Sequence, residues 1–246
     1  MPGKTALTNW YLDFIPDSVG QQLPLDIALR DEATLERFLT GPNGELVHLL
    51  SGLDPAARQM IMISGVQGSG KTHLLQAVSR RINGAVYLPL ATLPQLSAGM
   101  LDGLAARAVV CLDDIHVIST NAEMELALFG LINEIKDNEH SCIFTSRYPL
   151  QKSGFQLQDL VSRLNACVQY ALELPDDEQK MFFLQEDARR RGLQLGEEVI
   201  SWLMTHMARD MPSLAEFLAV LDQESLSRQR KITIPFAREV LSRQTR

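Results

Sequence analysis

Between Met60 and Pro175 the chain alternates between two hydrophobic patterns. Short, almost wholly apolar runs are followed by longer segments in which apolar residues recur every three or four positions. The short runs are typical of strands in a parallel sheet covered on both faces, and the wider spacing is typical of amphipathic helices. Strands that alternate with helices predict an α/β domain with a parallel sheet.

Four strands and two helices are predicted in this part of the chain. The strands cover residues 60–64, 85–88, 108–112 and 141–145, and the first helix covers residues 71–82. The second helix has one apolar face, formed by Met124, Ala127, Leu128, Leu131, Ile132 and Ile135.

The pattern becomes helical from Asp176 to the end of the chain. Asp176 followed by Gln179 resembles a capping box in which a carboxylate replaces the usual hydroxyl. One later apolar stripe is formed by Leu214, Phe217, Leu218 and Leu221. The predicted organisation is an N-terminal tail (1–30), an α/β subdomain (31–175) and a small all-helical subdomain (176–246).

Composition and charge limit the classes of protein to which this chain can belong. Hydrophobic residues make up 46% of the 246 residues, which is enough for a sizeable core. The net charge of −7 argues against DNA binding as the main activity, because gripping phosphates needs a basic surplus or a basic face. Cys111, Cys142 and Cys167 lie in apolar runs and are predicted to be reduced core residues. Without a signal peptide or an apolar run of ~18 residues, we expect a cytoplasmic protein with no membrane partner.

A glycine-rich loop between the first predicted strand and the first predicted helix is the strongest chemical motif. It reads G-x-x-x-x-G-K-T over residues 65–72. Glycines let backbone N–H groups face phosphate oxygens, and the helix N-terminus adds a positive dipole end. Lys71 is expected to reach the β- and γ-phosphates, and the Thr72 hydroxyl to bind Mg²⁺. The predicted nucleotide-binding residues are Gly65, Gly68, Ser69, Gly70, Lys71 and Thr72.

A second motif is the apolar run that ends in Asp113 and Asp114. A strand whose tip carries carboxylates can hold Mg²⁺ and orient an attacking water. Asp113 is the candidate for Mg²⁺, and Asp114 for the water. A strand followed by an ordinary polar turn is the alternative. With the glycine-rich loop, the motif predicts a P-loop NTPase, and the helical subdomain predicts the AAA+ class, in which such a subdomain lids the nucleotide.

Several segments resemble DnaA-related AAA+ proteins: residues 65–74, 113–115, 145–149, 159–164 and 230–236. The resemblance is closer to the Hda family than to the replication initiator DnaA. The chain stops soon after Ile234-Pro235-Phe236, where DnaA continues into its DNA-binding domain, and residues 22–25 and 29–34 look like the start of Hda proteins.

This resemblance implies a regulator of DnaA that has ADP or ATP and Mg²⁺ as ligands. Such a regulator binds the DNA polymerase sliding clamp and stimulates hydrolysis of DnaA-bound ATP, which prevents replication from starting again. It implies no sequence-specific DNA contact and leaves a homodimer or larger oligomer open. An ATPase or helicase loader that acts by its own hydrolysis and a diverged nucleotide-binding paralogue are the alternatives.

Gln22, Leu23, Pro24 and Leu25 resemble the peptide by which Hda proteins bind the sliding clamp. An extended peptide can place an amide and two leucines in an apolar groove, and proline limits the entropy lost on docking. A linker that packs its leucines on its own domain is the alternative.

Arg163 stands where the resembled family carries its arginine finger. Such a finger places positive charge at the γ-phosphate of a nucleotide bound by another subunit, here DnaA. The alternative is a surface arginine paired with Asp159 one helical turn earlier.

The sequence departs from the family near the phosphates. Arg147 stands where an aspartate is usual, close to the position that senses the γ-phosphate, and Pro212 stands where the lid arginine is expected. Asp210 is predicted to cap the lid helix that contains Pro212. Asn165-Ala166 replaces the usual Trp-Gly, and Arg209 is a weak substitute for the lid arginine. We therefore expect nucleotide to bind, and hydrolysis by this chain alone to be slow or absent.

Overall fold

The computed structural model describes residues 33–93, 95–207 and 210–244, and within these it contains a five-stranded parallel sheet. The strands are β1 (Met60–Ser64), β2 (Ala85–Pro89), β3 (Val109–Asp113), β4 (Ser141–Ser146) and β5 (Val168–Ala171). Their order across the sheet is β2-β3-β4-β1-β5. The predicted parallel α/β fold is confirmed, and the four predicted strands lie within one residue of their expected ends.

The sequence pattern does not predict β5. Its four residues are mostly exposed, and Val168 is 52% exposed, so no apolar run marks it. The strand forms at the edge of the sheet because its backbone pairs with β1, where Ile61 lies opposite Val168. Tertiary pairing, rather than the residue pattern, decides the conformation here.

Four helices cover the two faces of the sheet: α1 (Gly44–Ser51), α2 (Lys71–Arg81), α3 (Ala122–Asp137) and α4 (Gln158–Asn165). Successive strand residues point to opposite faces. Met62 therefore packs with α3 and α4, whereas Ile61 and Ile63 pack with α1 and α2. This double coverage explains why the central strands are almost wholly apolar. Cys111, Cys142 and Cys167 are buried and unbridged, as predicted.

Four further helices follow the sheet and form the lid: α5 (Asp177–Arg190), α6 (Glu197–His206), α7 (Met211–Arg228) and α8 (Ile234–Gln244). The capping box at the start of α5 is confirmed, since the Asp176 carboxylate accepts from the Gln179 N–H and the Gln179 side chain accepts from the Asp176 N–H. The predicted apolar stripe on α7 is buried between the lid helices.

The position of β4 between β1 and β3 is what assembles the candidate site. Ile63 of β1 lies opposite Thr145, and Leu112 of β3 lies opposite Phe144. The carboxyl ends of parallel strands meet at one edge of the sheet, where ligands of such folds bind. The glycine-rich loop, the acidic end of β3 and the end of β4 therefore converge.

Among the described residues, none of the helices combines the length and the apolar character that crossing a bilayer requires.

Candidate functional site

The glycine-rich loop joins β1 to α2, and its backbone requires glycine at two positions. Gly68 has a φ of 80° and Gly70 a φ of 97°, a region that residues with a Cβ rarely adopt. A Cβ at Gly70 would also lie only 2.5 Å from the Phe38 ring. The loop is therefore closed on this side by an aromatic side chain from the segment that precedes α1.

Lys71 lies inside this loop and is only 6% exposed. Its ammonium donates to the carbonyl oxygens of Gly65, at 2.7 Å, and Val66, at 3.0 Å. Burial lowers the pKa of Lys71, and the carboxylates of Asp114 and Asp113 act in the opposite direction. A buried ammonium held by neutral carbonyls gains from an anion within reach, because burial penalises an unpaired charge.

Three features make the loop fit a phosphate group. Among the described residues no side-chain hydrogen bond caps the N-terminus of α2, whose positive dipole end therefore suits an anion bound in the loop. The Ser69 hydroxyl is buried without a hydrogen-bond partner in the described part of the chain. Lys71 supplies the positive charge. The residues predicted for nucleotide binding therefore lie together in one loop, which is called the phosphate cradle below.

Asp113, at the end of β3, is the centre of the hydrogen bonds beside the loop. Its Oδ2 accepts from the Thr72 hydroxyl at 2.7 Å and from the Tyr87 hydroxyl at 2.9 Å, and its Oδ1 accepts from the Thr145 hydroxyl. Burial and the neighbouring Asp113 carboxylate raise the pKa of Tyr87, which keeps its hydroxyl a donor. Sequence reasoning paired Thr72 with Asp113 but missed Tyr87 and Thr145.

Thr72 and Asp113 could hold a magnesium ion between the loop and β3. A hydroxyl and a carboxylate oxygen that already face each other match the hard oxygen ligands of Mg²⁺. The described residues include no cluster of three or more His, Cys, Asp or Glu side chains suited to a metal. Mg²⁺ in nucleotide sites needs none, since phosphates and water supply its other ligands.

Asp114 follows the strand in a left-handed conformation with a φ of 58°. Its N–H donates to the Thr145 hydroxyl at 2.8 Å, so one threonine fixes both acidic residues. Burial, and then the Asp113 charge, raise the pKa of Asp114, whereas Lys71 lowers it. A half-buried carboxylate beside the loop suits the predicted role of orienting water.

Arg147, the first departure from the family pattern, lies against the glycine-rich loop. Its guanidinium donates to the Gln67 side-chain oxygen at 3.2 Å, and its N–H donates to Nδ1 of His116 at 3.3 Å. His116 in turn lies 3.7 Å from the Asp114 carboxylate. Sequence reasoning placed Arg147 near the γ-phosphate but gave no signal for the role of His116.

The lid reaches the loop at the start of α7. The Asp210 carboxylate accepts from the Ser213 N–H at 2.9 Å, so the predicted cap is confirmed, with Pro212 in the first turn of the helix. A Cβ added to Gly68 would lie 3.5 Å from the Asp210 Cβ. Arg209, the candidate substitute for the lid arginine, lies outside the described residues.

Arg163 lies on α4 beside the buried Leu160 and Leu164, but outside the face that they pack into the core. Its side chain is exposed and makes no ion pair with Asp159 or any other residue that the structure describes. The alternative of a helical Asp159–Arg163 pair is therefore not supported. The structure leaves this guanidinium available to another molecule.

Glu125 anchors the helix that carries Arg163, and sequence reasoning missed it. The side chain is 1% exposed, on the buried face of α3. Its carboxylate accepts from the N–H groups of Gln156, at 2.9 Å, Leu157, at 2.7 Å, and Thr120, at 2.9 Å. Leu157 immediately precedes α4. A glutamate among apolar helix positions was the available signal.

Glu125→Ala should lower the free energy of unfolding by about 3 kcal/mol or more, because each buried N–H left without an acceptor costs roughly 1–3 kcal/mol. Chemical denaturation followed by circular dichroism measures the change. Glu123→Ala is the matched control, since Glu123 is exposed in the same helical turn. Equal stability of the two variants would show that Glu125 does not anchor α4.

A cavity of about 580 Å³ lies between residues 36–41 and α5. Phe38 borders both this cavity and Gly70, but the residues lining the cavity include none from the glycine-rich loop. The cavity is thus separate from the phosphate cradle. The clamp-binding peptide predicted at residues 22–25 lies outside the described residues.

Comparison with known proteins agrees with this geometry. The family model of the Hda lid domain matches residues 177–241. An uncharacterized protein of Haemophilus influenzae is 41% identical over 230 residues, which cover 91% of this chain and all of the relative.

Two solved structures share the fold. Domain III of the Thermotoga maritima replication initiation protein DnaA is 21% identical, with a TM-score of 0.70 over 87% of this chain and 98% of that one. DnaA from Aquifex aeolicus, bound to AMPPCP, is 25% identical, with a TM-score of 0.64 over 82% of this chain and 68% of that one. The lid match and the shared fold together identify the chain as an Hda-like, DnaA-related AAA+ protein.

Proposed function

We propose that this chain is a nucleotide-binding regulator of replication that acts on DnaA. It would bind the sliding clamp, contact ATP-bound DnaA and stimulate hydrolysis of that ATP, so that replication does not start again. The observation that carries the proposal is Arg163, an exposed and unpaired guanidinium on a helix that Glu125 holds in place. DnaA is proposed as the partner because the lid matches the Hda lid domain.

The glycine-rich loop supports the first part of this function, the binding of ADP or ATP. Lys71, the loop N–H groups and Ser69 would hold phosphate oxygens, and Thr72 with Asp113 would hold Mg²⁺. The bound Mg²⁺ would neutralise phosphate charge. The neighbour from Aquifex aeolicus binds AMPPCP, a nucleotide with three phosphates, which supports the same ligand class here.

Hydrolysis in the chain's own site is proposed to be slow. Phosphoryl transfer needs positive charge aimed at the transferred group as charge spreads over its oxygens. The first turn of α7, which reaches the loop, carries Pro212 and no arginine. The bound nucleotide would then stabilise a conformation of this chain rather than serve as a substrate for hydrolysis.

The clamp should be bound through residues 22–25. Gln22→Ala combined with Leu25→Ala should abolish binding to the sliding clamp and leave the melting temperature within about 2 °C, because a docking peptide contributes little to a fold. Surface plasmon resonance on immobilised clamp measures the first effect and thermal unfolding the second. Gln21→Ala is the control next to the peptide. A double variant that still binds, or that melts several degrees lower, would favour a linker that packs on its own domain.

The whole proposal is tested by reconstitution. The protein, clamp loaded on DNA, and DnaA carrying labelled ATP are mixed, and conversion of the label to ADP is followed over time. Conversion should require both the clamp and this chain. Conversion that does not depend on this chain would overturn the proposed function.

An ATPase that acts by its own hydrolysis is the second candidate. The complete hydrogen-bond set around Asp113 and the half-buried Asp114 favour it, because both are the parts that hydrolysis uses. Steady-state ATPase activity of the isolated protein separates the two candidates. Sustained turnover without DnaA would favour the ATPase.

A further inference from the structure

The far end of the lid carries a concentration of positive charge that the proposed function does not use. Residues 228–243 contain five basic side chains and one acidic side chain, in a chain whose net charge is −7. The basic residues are Arg228, Arg230, Lys231, Arg238 and Arg243, and all except the half-buried Arg228 are exposed. A local excess of cations on an acidic protein is typical of a surface that binds anions.

One glutamate on α8, Glu239, holds three of these arginines together. Its carboxylate oxygens lie 2.8 Å from the Arg228 guanidinium, 2.9 Å from that of Arg243 and 3.2 Å from that of Arg230. Arg228 also pairs with Glu224, one helical turn earlier on α7. Three guanidiniums therefore share two carboxylates, and the cluster stays positive although each of its arginines is paired.

The arginines of this cluster are held in place and still reach solvent. The guanidiniums of Arg228 and Arg230 lie over the buried Phe236 ring, at 5.7 and 5.2 Å from its centroid. The side chains of Arg230 and Arg243 are 53% and 61% exposed. A guanidinium has five N–H donors, so an exposed arginine that is held by one carboxylate can also donate to a phosphate. Side chains that are already ordered lose less entropy when they bind.

This cluster is separate from the nucleotide site. α7 begins beside the glycine-rich loop, where Asp210 lies close to Gly68, and its 18 residues span about 27 Å. Arg228 stands at the other end of that helix. An anion bound at the cluster is therefore not a phosphate of the nucleotide held by the loop.

We infer that residues 228–243 form a duplex-binding face of the lid, which contacts the phosphate backbone of DNA beside the clamp. The inference rests on the proposed function, in which the clamp is loaded on DNA. Duplex DNA carries one negative charge about every 1.7 Å along its axis, so neighbouring arginines can contact several phosphates at once. Guanidiniums match phosphate oxygens in pairs. Contacts to phosphates carry no sequence information, so the face reads no bases.

The acidic balance of the whole chain makes this contact weak by itself. Non-specific DNA binding has dissociation constants of about 10⁻⁴–10⁻⁶ M at physiological salt, and the net charge of −7 favours the weak end of that range. Tethering to the clamp through residues 22–25 would raise the effective concentration of duplex to the order of 1 mM. The face is therefore occupied when the clamp holds the chain beside DNA, and it then orients the lid on the duplex.

Duplex binding by the purified full chain tests this inference, with the fluorescence anisotropy of a short labelled duplex as the readout. Arg230→Ala combined with Arg243→Ala should weaken binding at least about tenfold at about 50 mM salt. The slope of log affinity against log salt should fall by about 2, because each lost phosphate contact removes about 0.9. Arg58→Ala combined with Arg189→Ala is the matched control and should bind as the parent does, since both arginines are exposed and ion-paired elsewhere in the fold.

Equal affinity of the double variant and its control, or no binding by the parent at low salt, would overturn the inference. Displacement of the duplex by phosphatidylglycerol vesicles at equal phosphate concentration would also overturn it, since the face would then prefer a lipid surface. A melting temperature within about 2 °C of the parent shows that the double variant is folded, because exposed ion pairs contribute little stability.

The duplex assay contains neither DnaA nor the clamp, so the inference and the proposed function can fail separately. If the parent binds duplex through this face but does not promote conversion of DnaA-bound ATP, the proposed function is wrong and the DNA contact stands. If conversion proceeds while the double variant binds duplex as the parent does, the proposed function stands and the duplex-binding face is wrong.

Discussion

Lys71→Ala should weaken the binding of both ADP and ATP by at least about 100-fold. The ammonium lies inside the loop with two carbonyl partners, and no other cation is buried there among the described residues. Two charge-assisted bonds to phosphate contribute about 3 kcal/mol together, and each 1.4 kcal/mol is a factor of ten in affinity. Titration calorimetry with each nucleotide measures the loss.

Lys136→Ala provides the control for charge, since Lys136 is exposed in the last turn of α3. It should bind both nucleotides as the parent does. Equal ADP affinity in the Lys71 variant and the parent would mean that the loop has the shape of a phosphate cradle without its function.

Arg163→Ala should slow the conversion of DnaA-bound ATP to ADP by at least about tenfold in the presence of clamp-loaded DNA. Phosphoryl transfer spreads charge over the γ-phosphate oxygens, and a guanidinium stabilises that charge more than it stabilises the ground state. Arginine fingers in well-studied GTPases contribute about 10³–10⁵ in rate. Folding, nucleotide binding and clamp binding should be retained, because the side chain is exposed and unpaired in the described structure.

Arg163→Lys should rescue little of this activity, since a lysine cannot make the planar two-pronged contact. Asp159→Ala, one turn earlier and also exposed on α4, is the matched control and should remain active. If Arg163→Ala works as well as the parent, the group that acts on DnaA must be sought elsewhere on the surface.

The sequence predicts correctly those elements of the fold that depend on a local residue pattern. The apolar strands β1 to β4, the turn at Gly65 to Thr72 and the cap at Asp176 each depend on local pattern, and each is found as expected. β5 escapes prediction because an exposed edge strand has no apolar pattern of its own and depends on its partner β1.

The candidate site likewise contains residues that local motifs predict and residues that only the tertiary structure brings together. Lys71, Thr72 and Asp113 belong to motifs with a characteristic spacing, so the sequence alone predicts that they lie close together. Thr145 and Tyr87 contact Asp113 only because β4 and β2 flank β3 in the sheet. That strand order cannot be predicted from any local residue pattern. The contact of Arg147 with Gln67 is of this second kind, spanning 80 residues of sequence.

The approach of Asp210 to Gly68 has a consequence for how the protein is regulated. The cap of α7 lies beside the tip of the loop, so a ligand bound at one can change the surroundings of the other. Two sites joined in this way share a coupling free energy, which is reciprocal. If a nucleotide on the loop changes the affinity of the lid for a protein partner by some factor, that partner changes the nucleotide affinity by the same factor. The affinity of the lid for a protein partner would then depend on the nucleotide bound at the loop. Binding of that partner would in turn change the nucleotide affinity.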